Sequence, residues 1–280
     1  MTDHPQSPGD PASAVRRSMR CPVLHLSPRG AREDSRELIG EEPLLFRIEG
    51  SAYAAVMRTP GEEIAHAAGF CLAEGLVETA EDFAGIGFCP DLDPNVVEIR
   101  LQPARAARVA PLLERRGFLS QTSCGICGKQ MVEELMQHLE PLAPQTLPAH
   151  AVLREAVRAL LTSQEFYRRT RGSHAALVAD REGRGLAFAE DVGRHNAVDK
   201  AVGRLFLERR LSAAAILVLS SRLSYELVQK AARARLAVVV SLSRPTALAV
   251  ETARKLRLGL LCAEGEEGFA VFSGADRLAG

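Results

Sequence analysis

The chain has no net charge to spend: 35 Lys and Arg balance 35 Asp and Glu over 280 residues. That removes the global attraction on which non-specific binding to nucleic acid or an anionic membrane relies. Long apolar runs are missing too. The longest aliphatic stretch, Ala213-Ala-Ala-Ile-Leu-Val-Leu219, is far short of the ~20 residues of a membrane-spanning helix. The first 20 residues hold no apolar segment of the kind a secretory leader needs. The six cysteines lack framework spacing, which suits a reducing compartment. The expectation is a cytoplasmic protein that binds neither nucleic acid nor membrane. Two nucleotide fingerprints are absent as well. There is no G-x-G-x-x-G, and Gly128-Lys129 lacks the upstream glycine and following hydroxyl of a P-loop.

What remains is an ordinary globular composition, 46% hydrophobic and 25% charged, with room for one or two domains. Residues 1–35 mix Pro, Ser, Asp and Arg without periodicity and read as a disordered lead-in. A strand is expected over Glu41–Ile48, with a hairpin return over Tyr53–Met57. Arg58-Thr-Pro-Gly61 then opens a helix that runs through Leu72 to Gly75, with Thr59 as N-cap and Pro60 in the first turn. His66 and Cys71 fall inside it and read as core. A strand over Val96–Leu101 and a helix over Ala104–Arg116 complete a smaller N-terminal α+β domain spanning 36–145. Pro141-Leu-Ala-Pro-Gln-Thr-Leu-Pro148 is the composition break, since three prolines in eight residues cannot hold a helix.

Residues 146–280 read as an α/β domain. Helices are expected over Leu153–Tyr167, 196–209, Tyr225–Arg233 and 247–256. A hairpin joins His174–Ala179 to Leu186–Glu190, and strands follow at Ala214–Leu219, Ala237–Val240, Leu260 and Phe269–Phe272. The runs around Leu217 and Val239 are apolar throughout, as in parallel strands covered on both faces. Three loops have one form, an arginine among small or hydroxyl residues ahead of a helix. They are Asp191-Val-Gly-Arg-His-Asn196, Ser220-Ser-Arg-Leu-Ser224 and Ser241-Leu-Ser-Arg-Pro-Thr246. Such loops collect at the carboxyl edge of a parallel sheet, where Arg194, Arg222 and Arg244 could grip phosphates. Each also has a plainer reading, with Ser224 and Ser243 as caps and the arginines solvated. His195 fits general acid–base chemistry, a helix-end contact or an ordinary surface group.

The most reactive stretch is Leu119-Ser-Gln-Thr-Ser-Cys-Gly-Ile-Cys-Gly-Lys129. A helical pattern follows through Met131, Val132, Leu135 and Leu139, so Cys124 and Cys127 are expected on a glycine-loosened loop at a helix start. That position and Lys129 favour thiolate over thiol. Four readings stay open on the residues alone. Half a zinc site would need distant partners such as Cys89 or His195, because there is no second C-x-x-C and no two of the seven histidines are three to five apart. Dithiol exchange, an inert buried pair and a persulfide relay are the other three.

Taken together, the motifs resemble the formate dehydrogenase accessory sulfur carrier family, FdhD. The resemblance rests on Glu41-Glu-Pro-Leu, Met57-Arg-Thr-Pro-Gly61, Ser123-Cys-Gly-Ile-Cys-Gly128, Glu190-Asp-Val-Gly-Arg-His-Asn-Ala-Val-Asp-Lys200, Ser224-Tyr-Glu-Leu-Val-Gln-Lys-Ala-Ala232 and Pro245-Thr-Ala-Leu-Ala249. It implies a sulfurtransferase that takes persulfide sulfur from a cysteine desulfurase. The sulfur would pass to the molybdenum or tungsten bis-pterin guanine dinucleotide cofactor of formate dehydrogenase, bound as substrate, with no tightly held metal of the protein's own. By the same resemblance the persulfide forms on Cys124, assisted by Cys127. The C-terminal half is then cytidine deaminase-like and three-layered, in a homodimer, though Ser123 replaces the proline of a deaminase zinc signature. Cofactor contacts are expected from Arg194, His195, Asn196, Ser221, Arg222, Ser243 and Arg244, and from Cys262, Ala263, Glu264, Gly265, Glu266 and Glu267. Two departures stand out. Ser220-Ser221-Arg222 replaces the family's usual Ser-Gly-Arg, and the segment after Leu261 is acidic. A cofactor chaperone with structural cysteines and a thiol oxidoreductase are the alternatives.

Overall fold

The computed structural model describes residues 17–88, 94–115, 139–265 and 267–279. Cys89, Cys124, Cys127, Glu266 and the helix expected after Cys127 lie outside these residues. Two sheets carry the core. In the N-terminal half, β3 (Glu42–Ile48), β4 (Ser51–Arg58), β5 (Phe83–Phe88) and β6 (Val96–Leu101) form a sheet of order β4-β3-β6-β5. Leu44, Phe46 and Ile48 alternate onto the buried face of β3, and Val97, Ile99 and Leu101 do the same on β6. Helix α1 (Glu63–Ala73) covers that face, with the Phe70 ring 4.8 Å from that of Phe46. His66 and Cys71 are fully buried there, as expected of core residues. Helix α2 (Pro103–Arg115) follows β6. β5 had no expectation, because Gly85 and Gly87 break its apolar pattern.

The C-terminal half is built on six strands: β7 (His174–Ala179), β8 (Gly185–Asp191), β9 (Ile216–Leu219), β10 (Val238–Ser241), β11 (Gly259–Glu264) and β12 (Gly268–Ser273), in the order β12-β11-β10-β9-β7-β8. β9, β10 and β11 pair in parallel, and every residue of β9 and β10 is buried, as their unbroken apolar runs require. Three crossover helices, α5 (Arg194–Leu207), α6 (Tyr225–Arg233) and α7 (Ala247–Lys255), share a core with Ala176, Leu217, Val239 and Leu260 on one face. On the other face α3 (His150–Ser163) buries Leu153, Val157 and Leu160 against Leu177, Val218 and Val240.

The boundary expected at 145/146 divides two sheets but not two cores. One buried cluster runs from Leu44 and Phe46 through Ala67 and Leu72 to Val198, Leu205 and Leu260. The join is the contact of α1 with α5. A Cβ on Gly203 would lie 1.9 Å from Ala65 O, and one on Gly69 would lie 2.0 Å from Asp199 O. Only glycine lets these backbones come so close. The proline-rich segment is likewise a packed strap, with Leu142 and Leu147 buried and Leu142 N–H donating to Leu256 O.

Other expectations are corrected. Part of the disordered lead-in is a β-hairpin, β1 (Ser18–Ser27) with β2 (Gly30–Ile39). Its apolar residues lie on both faces, including exposed Leu24 and Met19, so no clean alternation marked it. Arg169 anchors its base by pairing with Glu37. The first helix starts at Glu63, not near Pro60, because Gly61 and Glu62 both take positive φ. The helix expected over Leu153–Tyr167 breaks at Gln164 into α3 and a short α4 (Glu165–Thr170). Glu190 explains the break: its carboxylate accepts the Phe166 and Tyr167 N–H groups, both at 2.8 Å, and so caps the new helix start. Gly203→Ala is expected to lower stability in urea denaturation by ~3 kcal/mol or more, since backbone must move. Gly87→Ala, with nothing within 4 Å of an added Cβ, should change it by less than about 1 kcal/mol.

Candidate functional site at the carboxyl edge

β8 runs antiparallel to β7, which runs antiparallel to β9, so β8, β9, β10 and β11 all point one way. The three arginine loops therefore do meet at one edge. Ser220 Oγ accepts the Ala175 N–H at 2.8 Å and ties the second loop to β7. Ser241 Oγ donates to Ser221 O at 2.7 Å and accepts the Ser243 N–H at 3.1 Å, joining the second loop to the third. Cys262 lies level with Ser241 on the neighbouring strand, and its Sγ donates to Ser243 O at 3.0 Å. Beyond it, Glu264 pairs at 3.2 Å with exposed Arg244. The acidic segment thus meets an arginine of its own chain, and Gly265 and Glu267 lie in an exposed hairpin turn beside half-buried Ala263 and exposed Glu264.

The starts of α5 and α6 are adjacent, with His195 Nε2 2.8 Å from Glu226 Oε2. That hydrogen bond holds the Glu226 carboxyl below its usual range. Burial, then neighbouring Arg194 and His195, pull His174 down. Ser224 stands at the N-cap of α6 without a capping bond, whereas Thr246, not Ser243, caps α7. Arg194 Nε, Ser224 Oγ and Tyr225 Oη are shielded from solvent without a hydrogen-bond partner among the described residues. Buried polar atoms are normally satisfied, so three orphans beside a row of arginines fit an anionic, polar ligand. Ser221 is buried and not at positive φ, so serine is tolerated where the resembled family carries glycine.

Asn196 does not face the edge. Its amide donates to Met57 O at 2.7 Å and to Asp191 Oδ1 at 2.9 Å. It belongs to a buried network. Asp191 Oδ2 lies 2.6 Å from Lys200 Nζ, with both side chains fully buried. Asp191 also accepts the Thr59 N–H at 3.1 Å and the Gly193 N–H at 2.8 Å, and Lys200 donates to Thr59 O at 2.6 Å. Thr59 Oγ1 accepts the Val192 N–H instead of capping α1. The Asp191…Asn196…Lys200 run and the Met57-Arg-Thr-Pro-Gly61 run are two halves of one joint. Sequence reasoning missed Asp191 and Lys200 as its centre, though both sit in motifs it singled out.

Among the described cysteines, burial drives the Cys71 thiol far up, and burial pushes Cys262 up to about 11. Neither is a thiolate at neutral pH. The family model described as FdhD/NarQ matches residues 39–279. The chain belongs to the FdhD/NarQ family. Relatives named sulfur carrier protein FdhD are similar over nearly their full length. One from Anaeromyxobacter dehalogenans (strain 2CP-1) is 38% identical, covering 85% of this chain and 87% of the relative. One from Nocardia farcinica is 36% identical, covering 91% and 93%. The crystal structure of a putative formate dehydrogenase accessory protein from Desulfotalea psychrophila shares the fold of this FdhD/NarQ chain, with a TM-score of 0.75 at 23% identity. It covers 94% of this chain and 100% of its own.

Two expectations follow. Asp191→Asn should cost ~3–5 kcal/mol by leaving Lys200 buried and unpaired, while the double variant with Lys200→Met costs less than the two single changes added. A denaturation cycle measures it. His66 is fully buried edge-on to Phe46, and burial followed by Lys200, Lys230 and Arg58 holds it well below the usual imidazole value of 6.5. The unfolded chain protonates this histidine near that value and the native chain does not. Stability from His66 is therefore complete above pH 6.5 and falls below it by about 1.4 kcal/mol per pH unit. His66→Gln should remove that slope from the pH–stability profile.

Proposed function

We propose that this protein is a sulfur carrier that supports formate dehydrogenase, loading sulfur at Cys124 and delivering it to a cofactor bound at the carboxyl edge. The carrying observation is the convergence of Arg194, Arg222 and Arg244 loops beside the orphaned Arg194 Nε, Ser224 Oγ and Tyr225 Oη. The names of the relatives, sulfur carrier protein FdhD, support the chemistry. In the loading step the Cys124 thiolate attacks the outer sulfur of a desulfurase persulfide. The desulfurase leaves as a thiolate, and Cys124 holds Cys–S–S⁻ with no net oxidation. Cys127, three residues on, would assist, and the nearby cation of Lys129 would favour the attacking Cys124 thiolate.

The substrate is the molybdenum or tungsten bis-pterin guanine dinucleotide. Arg194, Arg222 and Arg244 would hold its phosphates, with His195, Ser221, Ser243 and the Cys262–Glu267 segment at the margin. Asn196 would serve this site through the Asp191 joint. We read α3, the six-stranded sheet and α5–α7 as a cytidine deaminase-like three-layer unit, and the working form as a cytoplasmic homodimer.

Incubation with a cysteine desulfurase and cysteine should add one sulfur mass to the intact protein, lost on mild reduction and mapped to Cys124. Cys124→Ala should abolish the gain and formate dehydrogenase maturation while leaving guanosine diphosphate binding intact. Arg222→Gln should weaken that binding about tenfold and spare the sulfur gain. Full maturation by Cys124→Ala would instead favour a cofactor chaperone with structural cysteines.

A further inference from the structure

A second basic site lies at the opposite end of the sheet. A cavity of about 480 Å³ is lined by Arg254, Arg257 and the stretch Val271–Arg277. Ser273 pairs with Leu260, at the start of β11, so the length of that strand, about 17 Å, separates this cavity from Glu264 and the arginine loops. Three arginines line it, Arg254, Arg257 and Arg277. Two are held in place by main-chain carbonyls: Arg254 Nε donates to Phe272 O at 3.2 Å, and Arg277 Nη1 donates to Arg257 O at 2.9 Å. Gly274 leaves the room, because a Cβ there would come within 2.8 Å of Arg277 Nη2.

Several surface arginines elsewhere in this electrically balanced chain pair with carboxylates, as Arg184 does with Asp180, Arg209 with Glu81 and Arg210 with Glu208. None of the three cavity arginines takes part in an ion pair among the described residues. Asp276, the one acid in the lining, leaves an excess of two positive charges. Like charges gathered around one recess are unfavourable unless something offsets them. The forked donors of arginine match phosphoryl oxygens, and a recess of this size suits a small group better than an extended acidic peptide.

We propose that this cavity binds a phosphoryl anion, either free or carried on a nucleotide, at a site separate from the carboxyl edge. Calorimetric titration of the full chain with inorganic pyrophosphate at low salt should show saturable binding. Arg254→Gln should weaken it about tenfold, as should Arg277→Gln. Arg254→Gln should leave sulfur loading of Cys124 unchanged, and in an Arg222→Gln background, where the carboxyl edge is weakened, saturable pyrophosphate binding should persist and still be weakened by Arg254→Gln. Should Arg277→Gln unfold, exposed Arg254 carries the test alone. Tighter binding of adenosine diphosphate than of pyrophosphate, still lost in Arg254→Gln, identifies a nucleotide-borne group; equal affinity identifies the free anion. No saturation with pyrophosphate, binding abolished by Arg222→Gln but not by Arg254→Gln, or preference for hexaglutamate would overturn the proposal. Failure here leaves the sulfur-carrier reading standing, and a failed sulfur gain leaves this site standing.

Discussion

Asp191 and Lys200 meet at 2.6 Å with neither side chain reaching solvent, and most of the molecule's organisation hangs on that contact. An ion pair buried this deeply is costly to desolvate and tolerable only when further hydrogen bonds complete it. Thr59 supplies them from the other half of the chain, through its N–H to Asp191 and its carbonyl to Lys200. The pair therefore cannot be satisfied within the six-stranded half alone. Neither half closes its polar groups without the other, so the N-terminal sheet is part of one folding unit and not an appended module.

The same joint positions the site. Gly69 and Gly203 bring α1 against α5 at backbone distance, and Asn196 pins the first turn of α5 to Met57. With α5 fixed, His195 reaches Glu226 on α6, and Ser241 ties the loop after β9 to the loop after β10. The arginine loops are thereby fixed at one edge, with the unpartnered Arg194 Nε, Ser224 Oγ and Tyr225 Oη enclosed beside them. Motif residues divide accordingly. Asp191, Asn196 and Lys200 hold the frame, while Arg194, Arg222 and Arg244 stand on the loops at its edge.

The chemistry is divided by burial. Cys71, enclosed in α1, and Cys262, donating to a carbonyl, are kept as thiols. Charge is divided too. Opposite ends of one sheet carry arginines, one set beside orphaned hydroxyls and the other around a recess with a single acid. A net charge of zero hides both, because the balance is struck by ion pairs elsewhere on the surface.

The local pattern was enough for the strands with one clear face or none. β3 alternates, β9 and β10 are apolar throughout, and the three loops before α5, α6 and α7 carried their arginines in plain view. The family motifs were legible for the same reason: they are contiguous. What tertiary structure decided was non-local. Glu190 breaks a helix pattern by capping α4 from a strand 24 residues away in sequence. Thr59 leaves its expected capping role because Val192 N–H, 133 residues on, needs an acceptor. Gly203 is required because Ala65 O lies where its Cβ would be, a contact no local pattern marks. Periodicity reports which face of an element is apolar. It cannot report which distant carboxylate or carbonyl a buried group needs, because that partner is set by packing and not by spacing along the chain.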